Sequence, residues 1–117
     1  MIKILVVDDE ECVRTPLQRY LSKKNYFVEI AKNGEEALVK CKNEKYHIIL
    51  SDHTMPDVSG TELFGKFKEL SPNSKLIMMS GKSAWLERND FEKIPCLQKP
   101  MTLKTTHSLI EKILENR

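Results

Sequence analysis

A chain of 117 residues fits a single domain with one sizeable core and leaves little room for a second folded unit. Its 19 Lys and Arg against 17 Asp and Glu leave a net charge of +2, which lacks the clustered basic surface that direct nucleic-acid binding needs. Cys12, Cys41 and Cys96 are spaced too widely for a zinc pattern or a paired disulfide framework, so a reduced, cytoplasmic setting is expected. No apolar stretch approaches the roughly 18 residues of a membrane span, and Met1 leads straight into the first apolar run without a signal-peptide pattern.

Ile2 to Val7 is apolar except for Lys3, the composition of a strand covered on both faces, which predicts a parallel sheet. Val13, Leu17, Tyr20 and Leu21 recur at helical spacing behind Glu10-Glu11, and Pro16 falls near enough to the helix start to be tolerated with some strain. Tyr26 to Ala31 reads as a second strand. Asn33-Gly34 then turns into a helix bearing Ala37, Leu38 and Cys41 on one face.

His47 to Asp52 is the third strand, and Thr54 to Gly60 a loop shaped by Pro56 and Gly60. Leu63, Phe64, Phe67 and Leu70 predict a helix from about Ser59 to Leu70, which Ser71-Pro72-Asn73 stops before a strand at Lys75 to Met79. Ala84, Trp85 and Leu86 are contiguous, not periodic, so a helix at Ser83 to Asp90 would be short or irregular. A fifth strand follows at about Pro95 to Gln98. Leu103, Ile110, Ile113 and Leu114 form one face of a last helix capped by Thr102.

Four of these strands end on reactive groups: Asp8-Asp9, Ser51-Asp52, Ser80 and Lys99-Pro100. In an open parallel sheet ligands bind beyond the carboxyl ends of the strands, which would draw these residues together. Two like charges about 4 Å apart repel by roughly 4 kcal/mol at an effective dielectric near 20, so Asp8, Asp9 and Asp52 need a cation. Hard oxygen ligands favour Mg²⁺, and Lys99 adds a second, movable positive charge. With Asp52 as nucleophile and Ser80 as hydroxyl donor, the group suits phosphoryl transfer through an aspartyl phosphate.

Val7-Asp8-Asp9-Glu10, Asp52 followed by Met55-Pro56 and Gly60, Ser80, and Lys99-Pro100 resemble the receiver domain of two-component response regulators, as does Ala31 to Leu38. The resemblance spans essentially the whole chain. It implies a flavodoxin-like (βα)5 fold: a doubly wound, five-stranded parallel α/β sheet of order 2-1-3-4-5 with helices on both faces. Residues 1–117 would form one receiver domain, with no effector domain after it.

The resemblance makes Asp52 the phosphoacceptor, Asp9 and Asp52 direct Mg²⁺ ligands, Asp8 a water-mediated one, and the Thr54 carbonyl another. Lys99 and Ser80 would contact the phosphoryl group, and the Lys99-Pro100 peptide would be cis. The chain would catalyse only its own phosphoryl transfer and slow dephosphorylation. Its implied partners are a cognate histidine kinase or phosphotransfer protein and an unidentified downstream protein, without nucleic acid or membrane, the chain itself being a monomer or weak dimer.

Receivers usually carry Tyr or Phe three positions before the lysine, where this chain has Cys96. A cysteine supplies only part of the 1.5 to 3 kcal/mol, roughly, that burying an aromatic ring involves, which predicts an output routed through Ser80-Gly81-Lys82. The Leu97 to Pro100 ending is similar to receivers in hybrid sensor kinases, so a stand-alone relay and an excised receiver both remain open. A haloacid-dehalogenase-type phosphatase would want an Asp two positions after Asp52, where Thr54 stands, and a flavodoxin-like cofactor binder would want a Gly-rich phosphate loop. His53, His47 and His107 read as ordinary structural residues, and Cys12 and Cys41 as small core residues.

Overall fold

The computed structural model describes residues 1–53, 57, 60–81 and 94–115, with the side chains of Gly60 and Thr61 excepted. In chain order the elements are β1 (Lys3–Val7), α1 (Glu11–Ser22), β2 (Phe27–Ala31), α2 (Gly34–Asn43), β3 (Ile48–Asp52), α3 (Gly60–Leu70), β4 (Lys75–Ser80), β5 (Cys96–Gln98) and α4 (Leu103–Glu115). The predicted helix at Ser83 to Asp90, the residues Thr54 to Pro56, and Trp85 lie outside the described residues.

The five strands form one sheet in the order β2-β1-β3-β4-β5, and every neighbouring pair is parallel. Alternation along each strand sends successive apolar side chains to opposite faces. Leu5, Val7, Ile49 and Met78 meet Ala37 and Cys41 of α2 and Leu63, Phe64 and Phe67 of α3 on one face. Ile4, Val6, Leu50, Ile77 and Leu97 meet Leu17 and Leu21 of α1 and Ile110 of α4 on the other. Both faces are covered, which is why β1 and β3 read as continuous apolar runs.

Local chemistry closes the elements. Asn25 takes a positive φ of 69° between α1 and β2, a conformation Asn tolerates better than most residues. Asn33 caps α2 by accepting from the Glu36 amide at 2.8 Å, and Thr102 caps α4 by accepting from the Thr105 amide at 3.0 Å. Ser71 bonds Ser74 at 2.6 Å, and the Ser74 hydroxyl donates to the Tyr46 carbonyl.

Two expectations change. Pro16 lies inside α1, beyond its first turn, and with no N–H it cannot donate to the Cys12 carbonyl one turn back. Cys12 is exposed, whereas Cys41 is buried with its thiol pushed up to about 11 by desolvation. Cys12 precedes the inward-facing Val13 by one position, about 100° around the helix, and so misses the core. His47, at the edge of β3, and His107, within α4, make structural contacts as expected: His47 Nδ1 accepts from the Lys3 amide at 2.9 Å, and the His107 ring packs edge-on against Tyr20 and Tyr26.

Candidate functional site

The chain leaves β1 for β2 on one side and later enters β3 on the other, so a crevice opens where the carboxyl ends of β1 and β3 diverge. Asp8 follows β1 and Asp52 ends β3 at this point, both buried. Lys99 follows β5 and reaches back across β4. Its Nζ lies 2.7 Å from Asp8 Oδ2 and 3.1 Å from Asp52 Oδ2, with Glu10 Oε1 at 3.7 Å.

Asp8 is fully engaged. Its Oδ1 accepts from the Glu10 amide at 2.9 Å, its Oδ2 from Lys99, and its backbone carbonyl from Arg14 Nη1 at 2.7 Å. Desolvation pushes the Asp8 carboxyl above the usual carboxylate range, against the pull of Lys99 and the Glu10 amide. Burial alone would pull the Lys99 ammonium down, but its hydrogen bonds to Asp8 and Asp52 outweigh that and hold it above its ordinary value. The 2.7 Å contact between Lys99 Nζ and Asp8 Oδ2 is that of a charge-assisted ion pair.

Asp9 and Glu10 complete the group. One carboxylate oxygen from each of Asp8, Asp9, Glu10 and Asp52 lies within 4.8 Å of all the others, Asp9 and Glu10 being exposed. Opposite ligands of an octahedral Mg²⁺ stand about 4.2 Å apart, so the group fits that ion with one or two carboxylates bound directly and the others through water. The oxygen-only donor set fits it as well.

Ser80 ends β4 beside Gln98, buried, and its carbonyl accepts from the Lys99 amide at 2.7 Å. That bond anchors the backbone from which the Lys99 side chain extends, and the Lys99-Pro100 peptide is cis. Cys96 stands two residues before the end of β5, half-buried against the face that α2 and α3 cover, its thiol pushed up by desolvation. Asp8, Asp9, Asp52 and Lys99 are therefore brought together as the sequence predicts, with Ser80 tied to them through its carbonyl. Thr54 lies outside the described residues.

The model of the response regulator receiver domain matches residues 4–111. The chain belongs to that family. The receiver is 40% identical over 80 residues to the transcriptional regulatory protein ResD of Bacillus subtilis, a match covering 68% of this chain and 33% of ResD. It thus spans about a third of that relative's length. Among solved structures, the CheY-like receiver domain protein of Methanospirillum hungatei superposes with a TM-score of 0.89 at 30% identity, covering 99% of this chain and 95% of that one. The response regulator TrrA of Thermotoga maritima, solved in complex with Mg(2+)-BeF, superposes at 0.86 with 29% identity, covering 96% and 98%.

Three further residues make contacts to which the sequence pattern attaches no role. Glu10, the last residue of the Val7-to-Glu10 motif and the residue at the start of α1, supplies the fourth carboxylate of the group. Arg14 carries no pattern of its own, and only the turn of α1 aims it at the Asp8 carbonyl. Asp57 reaches the start of α2, with its carboxylate on the Gly34 and Glu35 amides at 3.2 and 3.0 Å.

Proposed function

We infer that this receiver is a phosphorylation switch in which Asp52 accepts a phosphoryl group from a phosphohistidine of a kinase or phosphotransfer protein. The observation that carries the reading is the Lys99 ammonium held between Asp8 and Asp52, which places a cation where phosphoryl oxygens would gather beside Asp52. An Asp52 carboxylate oxygen attacks phosphorus as the imidazole nitrogen leaves with the bonding pair, and Lys99 moves from the carboxylate to the transferred oxygens. Ser80 donates its hydroxyl to the same group.

Asp9 and Asp52 would hold Mg²⁺ directly, with Asp8 through water and the Thr54 carbonyl as a further ligand. The engagement of both Asp8 oxygens by Glu10 and Lys99 supports the indirect role for Asp8. The ion, when bound, neutralises charge developing on the phosphoryl oxygens. The likeness to TrrA, solved with Mg(2+)-BeF, favours the same site here.

A groove of about 480 Å³ opens beside Lys99 between α1 and α4, walled by Val13, Pro16, Leu17, Met101 and Leu103. Its apolar walls next to a charged reaction centre suit docking of the phosphodonor protein. Output passes by a change of affinity for a further protein. Because Cys96 replaces an aromatic ring, that change is carried by the end of β4 at Ser80 and Gly81.

Acetyl phosphate with Mg²⁺ tests the reading. A single phosphoryl group should appear on the wild-type chain and none on Asp52→Asn, measured by intact mass. Labelling that persists in Asp52→Asn, or many turnovers on small phosphomonoesters, overturns it, the second outcome indicating a phosphatase. Amide chemical shifts that move as strongly around Cys96 as at Ser80 and Gly81 on phosphorylation would overturn the output route.

A further inference from the structure

Three of the four clustered carboxylates, those of Asp8, Asp9 and Glu10, come from the three-residue connection between β1, which ends at Val7, and α1, which starts at Glu11. A connection that supplies ligands must keep one conformation, yet α1 begins without a side-chain cap: Glu10 stands at the cap position and its carboxylate makes no cap hydrogen bond. The connection is held through Asp8. The Asp8 amide donates to the Ala31 carbonyl at 3.1 Å, Oδ1 accepts from the Glu10 amide at 2.9 Å, and the Asp8 carbonyl accepts from Arg14 Nη1 at 2.7 Å.

The last of these bonds bears on Asp9. A peptide unit is planar, so a hydrogen bond that fixes the Asp8 carbonyl also fixes the plane leading to the Asp9 Cα. Asp9 is exposed, so packing constrains its carboxylate little, and the backbone from which it projects decides where it can point. Arg14 is half-buried one turn into α1, and its rigid guanidinium loses less freedom on bonding than a lysine would. Groups that hold ligands in place contribute to metal affinity without touching the ion.

We propose that Arg14 is a positioning residue for cation binding: its hydrogen bond to the Asp8 carbonyl fixes the Asp8-Asp9 peptide and so holds the Asp9 carboxylate where the group takes up Mg²⁺. The proposal rests on the phosphorylation-site reading above. Charge alone acts in the opposite sense, since a guanidinium beside the carboxylates repels a dication and its removal would strengthen binding. The sign of the effect therefore separates positioning from electrostatics.

Titration of the purified chain with Mg²⁺ alone, followed through the amide shifts of Asp9 and Glu10, reads that sign. Arg14→Met, which keeps an apolar stem but neither donor nor charge, should raise the half-saturating Mg²⁺ concentration about tenfold, the lower end of the range for losing a group that supports a metal ligand. Arg14→Lys, which keeps the charge on a compact ammonium, should fall between that variant and the wild type, and it carries the test if Arg14→Met does not fold. Gln18 makes a matched bond one turn further along α1, its Nε2 donating to the Val28 carbonyl at 3.2 Å. Gln18→Ala should lower the melting temperature yet leave the midpoint within about twofold.

A midpoint of Arg14→Met, or of Arg14→Lys in its place, at or below that of the wild type overturns the proposal. So does a Gln18→Ala midpoint shifted as far as that of the Arg14 variant, or a wild type whose shifts do not respond to Mg²⁺. The titration uses no phosphodonor. A wild type that binds Mg²⁺ but takes no label from acetyl phosphate would therefore overturn the phosphorylation reading separately, while the midpoints still decide this one.

Discussion

Among the described residues, Asp8 and Asp52 are buried around the Lys99 ammonium at the carboxyl ends of the strands, whereas at the amino ends His47, Ser71 and Ser74 make neutral hydrogen bonds. There His47 exchanges bonds with Lys3 through its ring and its backbone, its carbonyl accepts from the Lys75 amide, and Ser74 links Ser71 to the Tyr46 carbonyl. These amino-end hydrogen bonds are made between groups of the chain itself. The carboxyl end concentrates more negative than positive charge, and its arrangement suits an added cation and a phosphoryl group. Both ends belong to the same strands, so the contrast separates neutral contacts within the fold from the charged group that the proposed function would use.

The largest expected effect comes from removing the ammonium. Lys99→Met removes the ammonium that pairs with the buried Asp8 and Asp52 and should cost about 2 to 3 kcal/mol in chelator, below the roughly 3 to 5 of a fully buried pair because Lys99 is partly solvated. Adding Mg²⁺ should restore at least half of it. Urea unfolding with and without the ion measures both, and a loss indifferent to Mg²⁺ would break the comparison.

At the other end, Ser74→Ala removes the hydroxyl that bridges Ser71 and Tyr46. About 1 kcal/mol should be lost by the same measurement, equally with and without Mg²⁺. A Mg²⁺-dependent loss there would mean that the two ends are coupled through the sheet. The smallest effect belongs to the Lys3–Glu44 pair, whose side chains are well exposed at 2.8 Å separation. Lys3→Ala should change stability by no more than about 0.5 kcal/mol, vanishing at high salt.

Among the described residues, no helix is long and apolar enough to cross a membrane. The strands were legible because a strand covered on both faces must be apolar at consecutive positions, as Leu5 to Val7 and Ile48 to Leu50 are. Asp8, Asp52 and Lys99 were legible because each interrupts such a run at the same end. Cys12 is exposed because one position on a helix turns a side chain from core to solvent, a distinction that residue type alone does not carry. Asp57 was invisible because its partners are backbone amides, which every sequence supplies.

Local pattern by itself determined the elements, their two-sided burial, and which end of the sheet would carry charge, because periodicity and strand ends are properties of neighbouring residues. Only the tertiary structure decided that Lys99 lies closer to Asp8 than to Asp52, that Glu10 joins the carboxylates, and that Asp57 closes on α2. Those contacts depend on distances between elements, which are settled by how β1, β3 and β5 pack in one sheet.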